Sequence, residues 1–407
     1  MSFWERYKNR IYKYGHIYAT LFGLVAVNYI PQHHTNIYVY RLSVLYSHLV
    51  ATLLMLVLPV YFGSNISSLI QATDPRWKLF LMVSFANTLI KYVTVVITYF
   101  ANLTYYTAIR DITRTRQQLE DSDLFCNTLS HQGPRRKFES MLLFKFGLIN
   151  LMMVLQSVDV WYLWWTGENM MRVYFALYSF VLWNYTENMA DYFYFINSSA
   201  LKFFRQLHEQ LLVLVQQVEV LFTSYQKRAM LMQHCCTLSD ELDALAQAYE
   251  KIHKLYFGSV YLQQFQILGL LLTTLINNLT NSFMLFNLLR NNSVEPTDTP
   301  AIVLNTLHAL AYYMDTYIVS LISESINNEL RDLGYTMRQF SQTAAMDVRL
   351  EQSIEQFSLQ LMNSKAGFRI CGLFDLDRSL AFLTAATELS YFVTLVQFDM
   401  NLSSESK

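Results

Sequence analysis

The side chains best placed to do chemistry gather near the C-terminus, between Gly367 and Met400. From Ser379 to Phe398 the residues are mostly apolar, and a helix of about twenty such residues crosses roughly 30 Å of hydrocarbon. Polar residues return every third or fourth position: Thr384, Thr387, Glu388, Tyr391, Thr394, Gln397 and Asn401 fall on one stripe of that helix. Phe382, Leu389, Phe392, Val393 and Val396 fall on other faces. Glu388 sits near the middle, where an ionised side chain facing lipid costs about 3 kcal/mol. It is therefore expected to face water, face a partner, or carry a proton. Two arrangements meet that demand: a polar face packed inside a helix bundle, or the wall of a water-filled pathway. Neither is catalysis. The chain has no phosphate-binding Gly loop, no G-x-S-x-G and no Cys/His spacing for a metal, so no enzyme, cofactor or metal is expected.

The elements that position this stripe are read from composition and hydropathy. Of 407 residues 53% are hydrophobic, 15% aromatic and only 15% charged, which marks an all-α polytopic membrane protein. A net charge of -1 gives no reason to expect nucleic acid as a partner. With 11 Gly and 6 Pro there is little material for the broken helices of many transporters. Six apolar spans precede the last one, near Leu42–Phe62, Leu79–Ala101, Met141–Trp165, Arg172–Asn197, Tyr261–Leu289 and Ala301–Ile322. That makes seven transmembrane helices. The Ala19–Ile30 run is short for a crossing and reads as an interfacial or re-entrant helix. The polar segments between spans are not linkers: Leu207, Leu211, Leu214, Val218 and Leu221 recur at helical spacing, as do Leu238, Leu242, Leu245, Tyr249 and Ile252. They are expected to extend the spans into the cytoplasm and pack together there.

Orientation follows from Lys and Arg. With the N-terminus inside, cytoplasmic segments hold 22 of the 30 basic residues and outer segments hold 5. The expected plan is a cytoplasmic N-terminal segment (1–41), six spans with cytoplasmic helical extensions forming a ligand-binding bundle (42–322), a cytoplasmic helical segment (323–366), and a last span with a short extracellular tail (367–407). The cysteines then fall on the cytoplasmic side or its membrane edge, and Cys235-Cys236 reads as inert packing.

Ser390-Tyr391, five residues, then Gln397-Phe398 resembles the signature that ends the last membrane helix of the insect gustatory receptors: Thr-Tyr, five mostly hydrophobic residues, Gln-Phe. Gly372-Leu373-Phe374, Asp375-Leu376-Asp377 and Arg378-Ser379-Leu380 also resemble what leads into that helix. The chain departs in Ser390, which keeps the hydroxyl, and in Thr394, which keeps the spacing. The resemblance implies a taste receptor in the plasma membrane of a chemosensory neuron, in dendrite or axon. It implies a ligand-gated non-selective cation channel, a homo- or hetero-tetramer with other gustatory receptor subunits, each giving its last helix to a central pore. Glu388, Tyr391, Thr394, Gln397, Phe398 and Asp399 are then the pore and gate residues. Gln397 and Phe398 line the narrowest part, and Asp399 stands at the outer mouth.

The resemblance also places a small-molecule tastant in the outer half of the bundle. The matching region holds Asn87, Lys91, Gln156 and Asp159 on the second and third spans, and Tyr162 at the end of the third. Tyr174, Tyr178, Asn277, Asn281, His308, Tyr312 and Asp315 complete it. Lone intramembrane charges are functional candidates by default, and Lys91 and Asp159 either pair or contact the ligand. Trp161, Trp164 and Trp165 read as a belt at the membrane–water interface. Membrane lipid is the remaining expected partner. The alternatives are a seven-span receptor signalling through a coupled effector, which would put the N-terminus outside and bridge an outer loop by a disulfide, and a transporter, which would show internal symmetry.

Overall fold

Long runs of Leu, Val, Ile and Phe with few glycines and prolines leave the backbone one way to satisfy its own hydrogen bonds in lipid, and the chain takes it almost throughout. The structure, a computed structural model, describes residues 37–71, 75–126, 132–167, 170–223, 228–290, 299–340, 347–364 and 369–405, with Tyr14, Ile17, Tyr18 and Leu21 of the N-terminal segment. The helices are α1 (Ile37–Gln71), α2 (Pro75–Thr104), α3 (Tyr106–Glu120), α4 (Asp123–Cys126), α5 (Gln132–Trp165), α6 (Met170–Thr223), α7 (Arg228–Arg290), α8 (Thr299–Phe340), α9 (Val348–Asn363) and α10 (Arg378–Glu405). A two-residue hairpin, β1 (Arg369–Ile370) with β2 (Phe374–Asp375), leads into α10. Its turn passes through left-handed backbone at Cys371 and Gly372.

All seven expected spans lie in helices. Five of them, Leu45–Ser64, Leu81–Thr104, Arg136–Trp165, Ala229–Phe286 and Arg378–Asn401, sit in helices long and apolar enough to cross a membrane. The segments of α6 and α8 expected to span carry polar groups turned inward, Asn184, Asn188 and Asn197 on α6 and Asp315, Thr316 and Ser320 on α8. These dilute their hydropathy and tie the two helices to the centre of the bundle. Most of the Ala19–Ile30 run lies outside the described residues. Tyr18, just before it, donates its hydroxyl to Asn184 at 3.0 Å.

The extensions read from periodicity are there. Leu207, Leu211, Leu214, Val218 and Leu221 of α6 are all buried, as are Leu238, Leu242, Leu245, Tyr249 and Ile252 of α7, and the two helices form the most extensive contact in the molecule. α9 packs into the same core through Leu350, Ile354 and Phe357. Ser239 bonds Ser353 at 2.8 Å, and Arg349 holds Asp240 at 2.6 Å. His208 of α6 meets Glu329 at 2.7 Å and Thr336 at 2.9 Å, both on α8. At the opposite end Trp161, Trp164 and Trp165 are exposed, and Trp161 stacks on Trp165 at 5.6 Å.

Candidate ligand site and pore helix

Four helices bring polar side chains to one level between the two ends. α5 supplies Gln156, α6 supplies Trp183 and Asn184, α8 supplies His308 and Tyr312, and α2 supplies Lys91. Gln156 gives its amide N–H to the Tyr312 hydroxyl at 3.2 Å and accepts from Asn184 at 3.3 Å. Trp183 meets Tyr312 edge-on with ring centroids 4.9 Å apart, and His308 lies 5.9 Å from the same ring. The Lys91 ammonium sits 5.3 Å from the Trp183 ring centroid, within cation–π range. Asn87, one turn along α2, donates to Asn277 of α7 at 3.2 Å. Of the residues expected here from the sequence, Lys91, Gln156, His308 and Tyr312 therefore belong to one connected set, with the Asn87–Asn277 pair one turn along α2.

Others do not join it. Tyr174 and Tyr162 are exposed, and Asn281 makes none of the contacts above. Tyr178 turns to a separate cluster, donating to the Leu54 carbonyl at 2.7 Å and packing on Tyr61 at 5.3 Å. The Asp159 side chain lies outside the described residues, so the Lys91–Asp159 pair stays an expectation.

Further along the same helices the set has an ionic floor that sequence reasoning did not assemble. Lys145 of α5 pairs with Asp191 of α6 at 2.9 Å and with Asp315 of α8, and its ammonium lies 5.5 Å from the Tyr194 ring centroid. Lys145 is 3% exposed. A charge so far from water persists only when neutralised, and the two carboxylates do this across three helices. The signal was present as intramembrane Lys and Asp residues. The partners, Lys145 and Asp315, stand 170 positions apart and could not be matched by spacing.

The last helix starts firmly. Asp377 caps it by accepting the Leu380 N–H at 3.1 Å, and Arg378 grips Glu324 of α8, with Nε 2.5 Å from Oε2. Beyond that α10 shows two faces. Glu388, Phe392, Leu395 and Asp399, spaced at four, three and four, form the side turned to the same chain. Glu388 accepts from Asn278 of α7 at 3.2 Å, and Phe392 meets Phe286 edge-on at 6.2 Å. Asp399 is only 2% exposed. Expected from the resemblance at the outer mouth of a pore, it instead points into its own chain, because one helical step carries it about 100° from Phe398. Glu388 leaves the expected stripe for the same reason. Tyr391, Thr394, Gln397 and Phe398 remain on the open side, with Phe398 58% and Tyr391 55% exposed.

Comparison with known proteins agrees with this architecture. The family model of the 7tm chemosensory receptors matches residues 12–402. Gustatory receptor 10a of Drosophila melanogaster is 45% identical over 412 residues, covering 100% of this chain and 98% of its own length. The gustatory receptor for bitter taste 22e of the same organism is 23% identical over 163 residues, 40% of this chain and 41% of its own. Among solved structures, the olfactory receptor OR5 of Machilis hrabei in complex with eugenol superposes with a TM-score of 0.65 at 12% identity, covering 97% of this chain and 98% of that one. A second structure of the same receptor gives 0.61. On the match to its family model and its full-length likeness to gustatory receptor 10a, the chain belongs to the insect gustatory receptors, within the 7tm chemosensory receptor family.

Proposed function

We propose that this chain is a subunit of a ligand-gated, non-selective cation channel, opened by a small-molecule tastant held where α2, α5, α6 and α8 converge. Four subunits, identical or mixed with other gustatory receptors, surround one pore in the plasma membrane of a chemosensory neuron. The N-terminus lies in the cytoplasm and the C-terminus outside, as the distribution of Lys and Arg requires.

One observation carries the reading. In the single chain, the last helix leaves Tyr391, Thr394, Gln397 and Phe398 uncovered on a face with hydroxyls and an amide among its aromatics. Lipid is a poor neighbour for that face, and a central axis shared with three copies is a good one. Four Phe398 rings at the axis make a dry constriction, and Gln397 beside them offers an amide that ions pass when the helix turns. The complex of the Machilis olfactory receptor with eugenol supports a small organic ligand for such a fold.

The ligand reaches the pore helix through adjacent residues of α7. Asn277 faces Asn87 beside the ligand set, and Asn278 donates to Glu388 on α10. A ligand that favours one position of α7 therefore biases α10 by its differential affinity for the two arrangements. The test is current from Phe398→Ala. Ligand-independent current should rise; a variant that reaches the surface, stays closed at rest and gates normally would place the gate elsewhere.

A further inference from the structure

Asn87 and Lys91 stand one turn apart on the inward face of α2, so their side chains are neighbours on that face. Asn87 is 8% exposed and spends its amide N–H on Asn277, while its Oδ1 has no hydrogen-bond partner among the described residues. A buried acceptor in that state calls for a donor. Lys91 supplies the opposite demand. Its ammonium lies over the Trp183 ring, and among the described residues no carboxylate pairs with it, those of Asp191 and Asp315 being engaged by Lys145. This stretch of α2 thus presents a cation and an acceptor that lacks a donor among the described residues, beside an aromatic wall whose edge is fixed by Tyr312.

Ligand classes fit this set unequally. An organic cation is repelled by Lys91. A hydrocarbon answers neither polar group. A neutral alcohol or sugar answers Asn87 but gives the ammonium no counter-charge. We infer that the ligand is a small hydroxy acid with an apolar or aromatic body: its carboxylate pairs with Lys91, its hydroxyl donates to Asn87 Oδ1, and its body lies against Trp183. A charge-assisted bond to an ammonium away from bulk water is the strongest single contact such a site offers. The inference rests on the ligand site proposed above, and not on the chain being a channel.

The experiment is equilibrium binding to the purified full-length protein in lipid nanodiscs, read as a shift in thermal unfolding, so that conduction plays no part. The probes are mandelate, its amide mandelamide, phenylacetate, which lacks the hydroxyl, and eugenol, a neutral phenol. Mandelate should bind at least tenfold more tightly than mandelamide and more tightly than phenylacetate. Lys91→Gln should abolish the preference for acid over amide, and Asn87→Ala the preference for mandelate over phenylacetate. Equal binding of mandelate and mandelamide to the unaltered chain overturns the inference, and that comparison stands even where a variant fails to fold. Binding of eugenol alone, unaffected by Lys91→Gln, keeps a ligand site but overturns its acid class. Failure of all four probes overturns both.

Discussion

Lys145 shows how a membrane interior tolerates a charge. Its two carboxylates come from different helices, so the ammonium joins α5, α6 and α8 at one point. Removing one member of a buried ionic group costs about 3–5 kcal/mol, because it strands the others, whereas replacing the whole group with apolar residues can cost little. Lys145→Met alone should therefore lower the thermal midpoint and surface yield sharply. Lys145→Met with Asp191→Leu and Asp315→Leu should recover most of both, as measured by size-exclusion and thermal unfolding. A triple variant no better than the single one would show that the ionic form itself is required. At this scale the sequence was half legible. Lys91, Gln156, His308 and Tyr312 were found as intramembrane polar residues, and they converge. The partner of Lys145 was not found, since contacts between distant segments leave no trace in local spacing. Asp399 was misplaced because neighbours on a helix point in different directions, and only packing decides which of them faces inward.

The helices were the most legible level, and the reason is periodicity. Leucines of α6 and α7 recurring every three or four positions announced the extensions, and every residue of both sets is buried. Less legible was how closely helices approach. A Cβ added at Gly269 of α7 would lie 2.5 Å from Thr94 Oγ1 and 2.9 Å from its Cγ2 on α2. Gly269→Ala should destabilise the bundle by about 1–3 kcal/mol, the usual cost of overpacking. Adding Thr94→Ala should return part of it, and strict additivity in the double-mutant cycle would deny the contact. In the extension of α7, before the stretch proposed to span the membrane, His253 packs against Phe257 with ring centroids 4.2 Å apart, and burial lowers its pKa from the ordinary 6.5. The folded chain thus holds the ring neutral, while the unfolded chain takes up a proton near pH 6.5. His253 therefore costs no stability above that pH and lowers stability progressively as pH falls below it. His253→Leu should flatten the decline in thermal midpoint between about pH 6.5 and 5; an unchanged slope would assign the acid sensitivity to other groups.

Across the whole molecule, the proposed orientation rests on the bias of 22 basic residues against 5, the sum of many charges. An epitope tag after Lys407 should be reached by antibody on intact cells and a tag before Met1 should not; the reverse result would sink the proposed topology. The exposed face of α10 was legible as a polar stripe, and its division into an inward and an open side was not, because that depends on which helices sit behind it. The ionic floor also bears on how the chain is made. α6 and α8, with Asp191 and Asp315 turned inward, are not among the segments apolar enough to enter a bilayer by composition. The counter-charge both need, Lys145, is carried by α5, which does qualify and which leaves the ribosome first. Synthesis in the order α5, α6, α8 lets each acidic helix find its lysine already waiting beside the translocon. A chain lacking Lys145 would offer these helices to lipid with their carboxylates unescorted, and quality control in the endoplasmic reticulum would meet the error long before any taste stimulus could.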